Sequence, residues 1–150
     1  MVWPDTGPAL AWLAQQGLQL EDARILLRAA GGRPDDAVRF ARSGRNPTSW
    51  AQLPHALARG DGALLADFTP AQAIDALHKL CHDLLARVSG AAPRFFEGRD
   101  LPPAPGASLA DLTAWSRALS RAARTAEHPF NPGLMLETLA MQAHAILRMP

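Results

Sequence analysis

One apolar repeat constrains this chain more than any other feature. Between Thr69-Pro70 and Ser89-Gly90, the residues Ile74, Leu77, Cys81, Leu84 and Val88 recur at spacings of three and four, and Leu80 and Leu85 widen the stripe. That period puts them on one side of an α-helix and conflicts with the alternation of a strand. Both ends are punctuated. Threonine then proline suits the cap and first position of a helix, where the missing proline N–H has no partner to lose. Ser89-Gly90 closes the segment.

The same signals recur along the chain. Pro8 to Gln16 reads as a short helix with Leu10 and Leu13 on one side and Gly17 as its stop. Glu21 to Ala30 carries Ala23, Leu26, Leu27 and Ala30 at helical spacing and ends at Gly31-Gly32. Pro34 opens a third helix, with Asp35 and Asp36 near the positive end of its dipole and Ala37, Val38, Phe40 and Ala41 as its apolar surface. These three pieces predict a compact three-helix unit. The turn cluster Ser43-Gly44-Arg45-Asn46-Pro47 is the candidate boundary.

Beyond it, Thr48 to Ala58 is predicted helical, with Pro54 either kinking it or starting a second piece. Gly60-Asp61-Gly62 breaks the chain, and Ala63 to Phe68 forms a short helical turn. Residues 91–107 hold four prolines and two glycines and are expected to form an exposed connection, pinned to the body by Phe95 and Phe96. Ser108, with Asp111 as its capping-box partner, starts a helix to about Glu127 whose apolar positions are Leu109, Leu112, Trp115, Leu119, Ala123 and Ala126. Asn131-Pro132 starts a last helix to about Met149, carrying Met135, Leu136, Leu139, Ala143, Ile146 and Leu147. Alanine and leucine dominate and tyrosine is absent, which favours helix. The expected fold is all-α: a small three-helix unit followed by a helical bundle.

Several function classes fit poorly. A formal net charge of +1 gives no independent support for a protein that grips many phosphates. A single cysteine, Cys81, permits no internal disulfide or thiolate zinc cluster, and its apolar helical position suits a buried inert thiol. No apolar run approaches the ~20 residues of a membrane span. The start, Met1-Val2-Trp3-Pro4-Asp5, lacks the layout of a signal peptide, so a cytoplasmic location is expected. A phosphate loop needs a glycine-rich turn ending in lysine and a hydroxyl residue. Lys79, the one lysine, precedes Leu80 in mid-helix, so no nucleotide site of that kind exists in the sequence.

Two polar patterns invite a functional reading. Asp75, His78 and His82 share one helix face, but a metal site needs converging ligands from further elements, and a solvated face opposite the Leu77–Leu84 stripe explains them. Arg117, Arg121 and Arg124 also share a face, extended by His128. They could meet DNA phosphate or an acidic partner, or form an ordinary polar surface. No triad or activated nucleophile stands out. No catalytic residue, cofactor or metal ligand is assigned.

Two stretches carry a resemblance. The first runs from Ala11-Trp12-Leu13 through Ala23 and Leu27 to Gly31-Gly32-Arg33-Pro34-Asp35-Asp36-Ala37; the second is His128-Pro129-Phe130-Asn131-Pro132-Gly133-Leu134-Met135-Leu136-Glu137-Thr138-Leu139. Together they resemble the delta-prime subunits of bacterial DNA polymerase III clamp loaders. The resemblance implies an AAA+ lid-type unit in residues 1–45, with its helices at about 8–43, and a helical collar in 46–150. It further implies that the amino-terminal AAA+ module lies outside this sequence. The expected role is that of a stator without ATPase activity. Its collar would join the delta and gamma/tau subunits in the ring that loads the sliding clamp during DNA replication, with DNA met only through the complex. Lids of this class often begin their third helix with an arginine that reaches nucleotide. Pro34-Asp35 falls there, and an Asp would repel phosphate, although a small shift would bring Arg33 into that role. The alternative is a free-standing helical adaptor using the Arg117, Arg121 and Arg124 face.

Overall fold

Helix punctuation decides where this chain turns, and the computed structural model, which describes residues 6–43, 45–102 and 106–148, is all-helical. Seven α-helices follow one another among the described residues: α1 (Gly7–Gln15), α2 (Leu20–Ala29), α3 (Pro34–Arg42), α4 (Pro47–Ala58), α5 (Pro70–Val88), α6 (Leu109–Ala123) and α7 (Pro132–Leu147), with short 3₁₀ turns at Ala63–Leu65 and Gly98–Asp100. Met1 to Asp5, Gly44, residues 103–105, Met149 and Pro150 lie outside the described residues, as therefore do parts of the boundary cluster and of the 91–107 connection.

The caps behave as their chemistry requires. The Thr69 side chain accepts from Gln72 N and the Gln72 side chain accepts from Thr69 N, a reciprocal box at the start of α5. Ser108 and Asp111 do the same for α6. Asn46 and Asn131 cap α4 and α7, each with proline at the next position. At the end of α2, Gly31 N donates to Arg28 O and Gly32 N to Leu27 O, with φ of 67° and 83°. This paired return to the last turn needs the left-handed backbone that glycine adopts without strain.

Two apolar clusters result. Leu13, Ala23, Leu26, Leu27, Ala30 and Ala37 join α1–α3. The larger cluster is built on α5, whose Ala73, Ile74, Ala76, Leu77, Leu80, Cys81 and Leu84 are all buried against α4, α6 and α7. Phe40 of α3 packs on both clusters and meets Trp50 edge to face at 5.8 Å.

Four expectations need correction. The helix α4 passes through Pro54 as one element, so Pro54 starts no second piece. The α6 helix stops at Ala123 rather than near Glu127; the chain continues in tight turns with i to i−3 hydrogen bonds at Arg124, Thr125, Ala126 and His128. Ala123 and Leu109 are exposed, and Val88 is nearly half-exposed, because each lies at a helix end beyond the reach of the facing helix. Finally, residues 93–102 are not a loose exposed connection, since Phe96, Leu101 and Pro102 are buried.

The cause of that last difference is Asp83. It is fully buried on α5, and its carboxylate accepts the backbone N–H groups of Arg94 (2.8 Å), Phe95 (2.9 Å) and Phe96 (2.8 Å). Arg28 of α2 donates to the carbonyls of Pro93 and Phe96 at 3.1 and 3.0 Å, and the Trp50 indole N–H donates to Phe95 O at 3.3 Å. The Phe96 ring stacks on Trp50 with centroids 4.6 Å apart. Arg94 donates to Gly31 O at 3.1 Å. Residues 93–96 are therefore a strap joining α2, α4 and α5, pinned by Phe95 and Phe96 as the sequence suggested.

Candidate partner-binding surface

The α6–α7 side of the bundle concentrates what the core does not use. The helix α7 buries Leu139, Ala143, Ile146 and Leu147, with Met135 and Leu136 partly covered. One side would suffice for that. Yet Leu134 is 59% exposed and Met141 72%, and Phe130, just before the cap, is fully exposed; these are the three most exposed large apolar residues described. Leu134, Thr138, Met141 and Ala145 follow at intervals of four, three and four, so they form a second stripe beside the buried one. The helix thus carries exposed apolar side chains, Leu134, Met141 and Ala145, beside its buried side, with Thr138 among them.

Between the two helices lies a shallow trough in two parts. A depression of about 380 Å³ is lined by Ala122, Thr125, Phe130, Leu134, Thr138 and others, and one of about 330 Å³ by Asp111, Ala114, Trp115, Ala118, Ala145 and others. Gln142 borders both. The walls are mostly apolar, and nothing in them resembles a reaction centre. Asp111 at one end is held below the usual carboxylate range by the Ser108 backbone N–H and then by its hydroxyl.

The residues singled out in the sequence take definite places here. Asn131 and Pro132 start α7: the Asn131 side chain accepts from Leu134 N at 3.0 Å. His128 and Pro129 form the turn that precedes it, His128 N donating to Thr125 O. The motif thereby aims α7 and presents Phe130 and Leu134. Gly31 and Gly32 shape the end of α2 as described, Arg33 pairs with Asp36 at 2.9 Å, and Pro34 opens α3. Arg117, Arg121 and Arg124 are all exposed, and no ion pair engages them among the described residues. By helical rotation they stand roughly a quarter turn from Ala114, Ala118 and Ala122 on the trough wall.

The remaining candidates do not converge. Asp75 pairs with Lys79 at 2.9 Å, while His82 turns to Asp83 at 3.1 Å. Burial lowers the pKa of His78, with Asp75 opposing the shift. No group of three or more His, Cys, Asp or Glu among the described residues is placed to hold a metal. Cys81 is buried, donates to Leu112 O at 3.3 Å, and has its pKa pushed up to about 11 by burial, opposed by a backbone hydrogen bond with Ser116. At neutral pH it is a thiol and a poor nucleophile. No helix among the described residues is long and apolar enough to cross a membrane.

Sequence reasoning missed the second stripe of α7, although its signal was present: Leu134 and Met141 fall outside the Leu139–Ala143–Ile146 register yet are apolar. It also missed Asp83, which stands three residues after Leu80 and seven after Ala76, a charge in the buried register.

Comparisons with known protein families, with characterised proteins and with solved structures find no match to this chain.

Proposed function

We propose that the chain is a non-catalytic assembly subunit of a bacterial DNA polymerase III clamp loader, comprising the lid-type unit (1–45) and the helical collar (46–150) of a delta-prime-like protein. In this role it acts in the cytoplasm during DNA replication, holding the delta and gamma/tau subunits by collar–collar contacts and meeting DNA through them. The observation that carries the reading is the exposed apolar row Phe130, Leu134 and Met141, set beside the His128-Pro129…Asn131-Pro132 stretch that resembles that family. Exposed apolar area of this kind is typical of protein contacts. A stable collar contact would bury roughly 1,000 Å² or more.

The test is co-elution of the chain with purified gamma/tau and delta collars, together with an ATPase assay. Co-elution without hydrolysis is expected. Separate elution from both collars at micromolar concentration refutes the role.

A second reading has its own support. The exposed arginines Arg117, Arg121 and Arg124, which pair with no acid among the described residues, would suit a free-standing adaptor on nucleic acid. Salt-sensitive duplex binding that disappears in the triple alanine variant favours it; no binding at low salt removes it.

A further inference from the structure

We infer that the α6–α7 trough receives an amphipathic helix of about three turns from a partner protein, with acidic residues along the flank that faces α6. This deepens the assembly reading above and rests on it for the partner's identity, though not for the surface or its chemistry.

Length, apolarity and charge argue for that occupant together. From Leu134 to Ala145 the exposed stripe spans eleven helical steps, about 16 Å, which matches three turns of a facing helix; Leu134, Thr138 and Ala145 line the trough, and Met141 stands on its outer edge. The stripe repeats at four, three and four, the spacing an opposing helix presents when side-chain ridges interlock. A single strand of nucleic acid would want a run of exposed stacking platforms, and the row offers one, Phe130; Trp115 lines the trough but is buried.

The borders set the polarity. On the α6 side, Arg117, Arg121 and Arg124 are exposed, and no acid among the described residues pairs with them. Arginine stems long enough to lean over the trough would place their guanidinium groups against a bound helix's flank. On the α7 side stands Glu137, and His144 is turned away, its Nδ1–H donating to Leu57 O at 3.1 Å. A helix entering with acids toward α6 meets three cations along the row and one acid, Asp111, at the Ser108 end, where the capping box already engages it; the opposite polarity meets net repulsion. Charge complementarity of this sort selects partner and orientation more than it adds affinity.

The experiment titrates the whole chain, followed by tryptophan fluorescence because Trp115 lines the trough. Three probes are used: a fifteen-residue helical peptide with leucines at i, i+4 and i+7 flanked by glutamates, the same peptide flanked by lysines, and a duplex DNA. The glutamate peptide should bind about ten-fold tighter than the lysine peptide, with the gap closing at high salt. Arg117→Glu/Arg121→Glu should reverse the preference. Leu134→Glu/Met141→Glu, at exposed positions that leave the core intact, should abolish binding of both peptides. Equal binding of the two peptides, binding of neither, or displacement of the peptide by duplex overturns the inference. So does self-association of the chain that Leu134→Glu/Met141→Glu abolishes, since a second copy would then be the occupant.

The same double variant separates the two readings. If the parent chain binds the collars and the variant binds them equally well, the surface is wrong and the assembly role stands. If the glutamate peptide binds and neither collar does, the surface stands and the clamp-loader reading falls.

Discussion

Replacing Asp83 tests the central physical claim about this fold, that one buried carboxylate organises the strap at 93–96. In Asp83→Ala, three backbone N–H groups lose their acceptor. Phe96 is buried and Phe95 partly so, and each orphaned donor there costs about 1–3 kcal/mol; Arg94 is exposed, so water can satisfy its N–H more cheaply. The expected loss is about 3–6 kcal/mol, a large part of the 5–15 kcal/mol typical of a domain. Asp83→Asn keeps one oxygen. Placed at Oδ2, it still serves Phe95 and Phe96, while the amide faces the Arg94 N–H, so the loss should be about 1–3 kcal/mol. Urea denaturation followed by circular dichroism and by tryptophan fluorescence reads both, the latter through the Trp50–Phe96 stack. Asp83→Ala within 1 kcal/mol of the parent, or Asn as damaging as Ala, would refute the reasoning.

Four further outcomes follow from the same geometry. Gly31→Ala should cost about 2 kcal/mol or more and Gly32→Ala only about 1, by urea denaturation: both need left-handed backbone, but a Cβ on Gly31 would lie 3.2 Å from the Phe95 ring, whereas Gly32 faces open space. Arg28→Ala should cost about 2–4 kcal/mol and raise amide exchange at 94–96, because two strap carbonyls lose their charged donor. Ser108→Ala should cost about 0.5–2 kcal/mol through loss of the α6 cap, read by thermal melting. Cys81 gives a pH signature: its folded pKa of about 11 lies above the ordinary 9.0, so the unfolded chain sheds the proton first and stability should fall as pH rises from 9 through 11. The fall should be shallower in Cys81→Ala, and an identical slope would contradict it.

What was legible in the sequence was local. Thr69-Pro70, Ser108 with Asp111, and Asn131-Pro132 are start signals whose partners lie within three residues, so α5, α6 and α7 begin where those residues say. The end of α6 had no such signal, and it fell short of the expected Glu127. The strap was illegible for the opposite reason. Its proline and glycine content reads as exposed chain, and its burial depends on groups distant in sequence or on other elements: Arg28, 65 residues earlier, the Trp50 indole of α4, and Asp83 of α5. Arg117 and Arg121 lie on α6 and Arg124 caps its end, and all three are exposed. What periodicity could not separate was whether the apolar residues of α7 serve one neighbour or two, because a single sequence records hydrophobicity and not the number of surfaces that need it.

The strap also bears on what a partner at the trough would feel. The helix α5 packs against both α6 and α7 and carries Asp83 near its far end, where the strap is anchored. From there Arg28 and Gly31 link the strap to α2, and Phe40 ties α3 to the larger cluster. A load at Leu134 or Met141 therefore has a path to the three-helix unit through packed side chains and hydrogen bonds from charged groups. Such a path makes the amino-terminal helices follow the bundle as long as the strap holds, because its bonds to charged groups are stronger than ordinary loop contacts. That stiffness would serve the proposed assembly role. A three-helix unit that swung on the bundle would need the strap to open, and three amide donors on one buried carboxylate oppose opening.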